Sequence, residues 1–160
     1  MKVGVLLPSR FEDPGEFLAD ARAMEAAGVD SVWMEDGDGD DPMLALAAIA
    51  AVTAKVRLGL ILPDAPSPTA GGLDRAFETL QHLSQNRVIT LFPSPSGGLS
   101  GIERWRRVEL PTDRDAWART LEDGQSDFDG VIVPLDPRLL DILRHPEEAI
   151  DRSDLMLAQG

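Results

Sequence analysis

A single α/β domain with mostly parallel strands, built as a shortened TIM-barrel-like (β/α) unit, is the fold this sequence predicts. Three observations lead to it. Short continuous apolar runs such as Val3-Gly4-Val5-Leu6-Leu7 suit strands buried on both faces. Stretches with apolar residues at helical spacing alternate with these runs, and four βα-type units fall within the first 92 residues. The chain has 160 residues, within the roughly 100–200 of one domain but short of the roughly 250 of a complete eightfold barrel. That leaves a shortened barrel or an open parallel sheet spanning residues 1–160 as one domain.

The first strand is Val3 to Leu7, ended by Pro8-Ser9. Pro14 to Ala27 reads as the first helix: Phe17, Leu18, Ala21, Met24 and Ala27 share a face, Asp13 caps the start, and Gly28 stops it. Ser31-Val32-Trp33-Met34 is a second strand, Pro42 to Thr53 an Ala-rich helix, and Val56 to Leu62 a third strand. A Pro-, Ser- and Gly-rich loop over 63–72 leads to a helix over Leu73 to Ser84, with Leu73, Phe77, Leu80 and Leu83 on one face, and then a strand at Arg87 to Phe92. Beyond Pro93, Ser94 to Gly101 reads as a loop, and Arg104 to Leu110 as a short or edge strand. A helix over Asp113 to Leu121, with Ala116, Trp117 and Leu121 inward, leads to a strand at Gly130 to Val133. A helix over Pro137 to Leu143 and a last strand at Leu155 to Ala158 complete the reading. An incomplete barrel exposes strand edges that a second chain would cover, so a homodimer is expected.

Fifteen Lys and Arg against 28 Asp and Glu give a net charge of −13, which disfavours nucleic acid and anionic membrane surfaces as partners. The absence of cysteine excludes thiolate nucleophiles, disulfides and zinc–sulfur sites. The N-terminus lacks a signal-peptide pattern, and the longest Ala-rich run, Met43 to Val52, is far below the roughly 20 residues that cross a bilayer. The expectation is a cytoplasmic, soluble protein. No Gly-x-Ser-x-Gly elbow accompanies His82 or His145, and no Gly-x-Gly-x-x-Gly follows the first strand, so a hydrolase triad and a Rossmann site are both disfavoured.

Lys2 to Pro8, Ala26 to Asp36, Val56-Arg57-Leu58-Gly59 and Thr79 to Arg87 resemble, in order and spacing, the luciferase-like family of flavin- or deazaflavin-dependent oxidoreductases over roughly the first 92 residues. The resemblance implies a barrel with its cofactor, FMN or a deazaflavin coenzyme, across the C-terminal ends of the strands. The cofactor would carry the redox chemistry and the protein the orientation. By position, the residues at that face are Pro8, Ser9 and Arg10, Glu35 to Asp38, Leu62-Pro63-Asp64, and Phe92 to Gly98. The chain departs from the family where many members place a His after the acid that ends the second strand: here Gly37 follows Asp36. The long segment after the fourth strand and the Gly-rich phosphate loop are also missing. A non-catalytic relative acting as a binding or assembly partner is therefore the alternative function.

The expected cofactor contacts are Ser9, Arg10, Asp36, Leu62, Pro63, Ser94, Ser96, Gly97, Arg106 and Arg107, with no catalytic residue and no metal ligand assigned. Arg106 and Arg107 belong to a basic cluster around Trp105, suited to a phosphate fork with a stacking indole; the competing reading is an exposed strand whose arginines pair with surface carboxylates or sit at a subunit interface. Ser94, Ser96 and Gly97 lie in a loop able to cradle an anion, although Pro93 and Pro95 remove two donors. The acidic run from Glu35 to Asp41 reads first as a solvated loop capping the second helix and second as a metal or active-site loop. A calcium loop does not fit, because counting from Asp36 its sixth position holds Asp41 and its twelfth Ala47.

Overall fold

Seven strands close into one barrel in chain order: β1 (Lys2–Leu6), β2 (Ser31–Glu35), β3 (Arg57–Ile61), β4 (Val88–Pro93), β5 (Leu99–Gly101), β6 (Arg104–Arg107) and β7 (Gly130–Pro134). The computed structural model describes residues 1–63, 71–95, 97–123 and 127–143. Around the barrel lie α1 (Pro14–Ala26), α2 (Pro42–Val52), α3 (Gly71–Leu83), α4 (Arg114–Asp123) and α5 (Leu139–Leu143). Asp13 and Asp41 cap α1 and α2 as their positions before Pro14 and Pro42 predict. The Asp13 carboxylate accepts from the Gly15 and Glu16 N–H groups at 2.7 and 3.2 Å, and that of Asp41 from Met43 and Leu44 at 2.9 and 3.1 Å.

The parallel pairing from β1 to β4 is present as expected, with α1, α2 and α3 between the strands, but the βα repeats number three and not four, because β4 leads into β5 without a helix. The remainder differs. Leu99–Gly101, assigned to a loop from the sequence, is a strand antiparallel to both β4 and β6. Three residues are too few to show a period, and the strand arises because Gly97 and Gly98, at φ +90° and +75°, turn the chain back on β4. Arg104–Arg107 is not an edge, since it pairs with β5 on one side and in parallel with β7 on the other. β7 in turn pairs with β1 from Lys2↔Gly130 to Leu6↔Pro134. This seam closes the barrel and removes the open edges that a second chain was expected to cover. One strand, β5, runs against the other six, so the strands are mostly but not all parallel, and the open-sheet alternative does not hold. The expected strand at Leu155 to Ala158 lies outside the described residues.

Strand alternation sorts the core into two layers. Val5, Val32, Met34, Leu58, Leu60, Val131 and Val133 point outward beneath the helices, where they meet Phe17, Met24, Leu46, Ile49 and Trp117. Trp33, Ile61, Leu91, Leu99, Trp105 and Ile132 fill the barrel interior. The two indoles fit because Gly4 and Gly59 face Trp33 and Gly130 faces Trp105: a Cβ at any of the three would collide with the ring. Leu83, placed on the inward face of its helix by spacing alone, is 57% exposed, whereas Leu80 on the same helix is buried.

The N-terminal end of the barrel is stoppered by charge. Glu103, in the β5–β6 turn, accepts from both Arg57 guanidinium nitrogens at 3.0 and 3.1 Å, from the Trp105 indole at 3.1 Å and from the Lys2 ammonium. Burial pushes the Glu103 carboxyl up, but the hydrogen bonds and charges of Arg57 and Lys2 outweigh it and hold the group at about 2.

Candidate functional site

The opposite end of the barrel is formed by the C-terminal ends of the parallel strands, where α/β barrels place their chemistry. Continuing the alternation along β2, Trp33 points inward, Met34 outward and Glu35 inward again; along β6, Trp105 and Arg107 do the same. Glu35 and Arg107 therefore meet at the mouth, where the guanidinium donates to the two carboxylate oxygens at 3.1 and 2.5 Å. Both side chains are nearly half exposed, 42% and 43%. Beside this bridge lies a depression of about 320 Å³ lined by Leu6, Leu7, Pro8, Ser9, Glu35, Pro134 and Leu135.

The loops after β1 and β2 are joined into one rim. The Ser9 carbonyl accepts the Asp40 N–H at 2.8 Å, the Asp40 carboxylate accepts the Phe11 N–H at 3.3 Å, and Arg10 donates to the Asp38 carbonyl. Gly39 allows this approach, since a Cβ there would strike the Ser9 backbone. The acidic run is thus a rim and a helix cap. Among the described residues no group of three or more His, Asp or Glu is placed to hold a metal.

Of the residues singled out in the sequence, Ser9 lines the mouth and Arg10 and Arg107 border it. Asp36 is exposed on the rim, with its N–H donating to the Ile61 carbonyl at 2.9 Å. Leu62 packs into the outer helical layer, and Pro63 follows it, exposed. Arg106 points away from the mouth on the outer wall: it donates to the Thr120 carbonyl at 2.9 Å and its guanidinium lies 5.9 Å from the Phe128 ring centroid. Ser94 and Gly97 line a separate depression of about 380 Å³ with Arg104 and Phe128. The loop that carries them closes on itself, the Gly97 N–H donating to the Ser94 carbonyl at 3.0 Å and the Ser94 N–H to the Gly98 carbonyl at 3.1 Å, so these two of the expected cradle's backbone donors are engaged. Ser96 lies outside the described residues. Missing from the expected set were Pro134 and Leu135, which follow β7 as directly as Pro8 follows β1, and the Glu35–Arg107 bridge itself.

Residues 1–122, about three quarters of the chain, match the family described as luciferase-like monooxygenase. The chain belongs to that family. Among solved structures, this luciferase-like chain is similar to the long-chain alkane monooxygenase LadA, with 16% identity, a TM-score of 0.51 and coverage of 77% of this chain and 38% of that one. It also matches the monooxygenase RslO1 from Streptomyces bottropensis at 24% identity and a TM-score of 0.46, over 58% of this chain and 33% of that one. The likeness to LadA is one of fold. The chain spans 33% and 38% of the length of these two structures. No curated protein matches it. Among the described residues of this luciferase-like chain, no helix is long and apolar enough to cross a membrane.

The mouth fits one end of a flavin better than the other. Its volume is at the lower limit of the roughly 300–1,000 Å³ of small-molecule sites, and its Leu and Pro walls suit the face of a flat ring. A phosphate finds no assembled cradle among the described residues.

Proposed function

We propose that this chain is an oxidoreductase of the luciferase-like family that receives the ring of FMN or a deazaflavin coenzyme at the C-terminal mouth of its barrel. The observation that carries this reading is the apolar depression flanked by the Glu35–Arg107 bridge, at the end of the barrel where the fold places reaction chemistry. A bound flavin or deazaflavin supplies the hydride and electron chemistry. Leu6, Pro8, Pro134 and Leu135 exclude water from one ring face, while the paired Glu35 and Arg107 stand at its edge. Titration of the protein with FMN and with the deazaflavin coenzyme, oxidised and reduced and followed by fluorescence or visible absorption, tests the reading. Saturable binding at one site per chain supports it, and no binding of either compound removes it.

One observation favours the second reading, a non-catalytic relative that serves as a binding or assembly partner. His82 is exposed on α3, so among the described residues no imidazole faces the mouth. Absence of binding in the same titration makes this the better account.

A further inference from the structure

Resting on the ring-binding reading above, we infer that the mouth recognises the uncharged ring of its cofactor and repels the phosphate, so that riboflavin binds at least as tightly as FMN. The only charged side chain lining the depression is an acid, Glu35. Among the described residues, the two guanidinium groups that border it each have an oxygen partner: Arg107 the Glu35 carboxylate and Arg10 the Asp38 carbonyl.

The two other candidate phosphate contacts do not serve the mouth. Arg106 is turned to the outer wall, on Thr120 and Phe128. The turn at 94–98 engages its Ser94 and Gly97 N–H groups internally and opens on a different depression. A phosphate monoester, carrying between one and two negative charges near neutral pH, meets Glu35, Asp36, Asp38 and Asp40 against Arg10 and Arg107 at this rim, an excess of acid in a chain of net charge −13. Coulomb repulsion at an exposed mouth is screened by salt, so the discrimination depends on ionic strength.

The test is a fluorescence titration of the full chain with riboflavin and with FMN, at low and at high salt, in the wild type and in Glu35→Gln. The expected result is a dissociation constant for riboflavin equal to or below that for FMN at low salt, with any gap narrowing as salt rises. Glu35→Gln removes the acid and releases Arg107, and should improve FMN relative to riboflavin several-fold. FMN binding more tightly than riboflavin to the wild type overturns the inference and leaves the ring-binding reading standing. An unchanged ratio in Glu35→Gln overturns the part given to Glu35. Binding of neither compound defeats the ring-binding reading, and the inference with it.

Discussion

Trp33 and Trp105 meet edge to face inside the barrel, their ring centroids 5.2 Å apart and their planes inclined at 65°. The geometry is a favourable one for aromatic pairs, and it fills a seven-strand barrel without further large aromatic side chains. It depends on glycine, because Gly59 and Gly130 leave the space into which the two indoles settle.

Gly59→Ala places a methyl group inside the six-membered ring of Trp33, against a strand held on both sides. Neither backbone nor indole can yield without disturbing the interior, so the loss of stability should reach about 3 kcal/mol, the upper part of the usual overpacking range. Urea unfolding followed by tryptophan fluorescence measures it; a loss below about 1 kcal/mol would show that the interior is looser than the contacts imply.

Glu103 links stability to acid. Its folded value of about 2 lies below the ordinary 4.5, so its contribution is complete above about pH 4.5 and disappears as the pH falls through about 2. Glu103→Gln should cost about 2 kcal/mol near neutral pH, in line with hydrogen bonds to charged groups. The difference between wild type and variant should shrink steadily on acidification. A difference independent of pH over that interval would contradict the assignment.

Arg106 and Arg107 should separate cleanly on substitution. Arg106→Ala loses the bond to Thr120 and the packing on Phe128, with a cost of about 1 kcal/mol and no change in flavin affinity. Arg107→Ala removes a half-exposed pair, worth less than about 1 kcal/mol to stability, and should weaken flavin binding. Melting curves and ligand titrations on both variants check this, and a matching loss of affinity in the two would refute the division.

Gln85 sits at φ 57°, two residues past Leu83 at the end of α3, where its N–H donates to the His82 carbonyl at 3.2 Å. The left-handed conformation is costly for a residue with a Cβ and natural for the glycine that usually ends a helix this way. Gln85→Gly should therefore raise stability by about 1 kcal/mol, read as an upward shift of the melting temperature.

The first four strands and three helices were legible because each carries its own signal: apolar runs for β1 to β4, Asp caps before Pro14 and Pro42 for α1 and α2, and an apolar face for α3. β5 was not, since Leu99-Ser100-Gly101 is defined by its neighbours rather than by its own residues. Arg106 and Arg107 stood together in the sequence as one basic cluster, yet a strand sends adjacent side chains to opposite faces. Arg104 to Leu110 was read as a short or edge strand, so the alternation that separates Arg107 from Arg106 was available, but which face is the interior follows only from the pairing of this strand with β5 and β7. The Glu35–Arg107 bridge joins positions 72 apart, and it exists because closure of the barrel brings β2 and β6 to one rim, which no local pattern encodes.

The seam between β1 and β7 also dictates when the molecule can be finished. Lys2 pairs with Gly130, so during synthesis the first strand leaves the ribosome long before its partner exists. Until β7 emerges, β1 offers a bare row of N–H and C=O groups to any other strand nearby. The nascent chain is thus open to misassociation at this edge until residues 130–134 have emerged and paired with it.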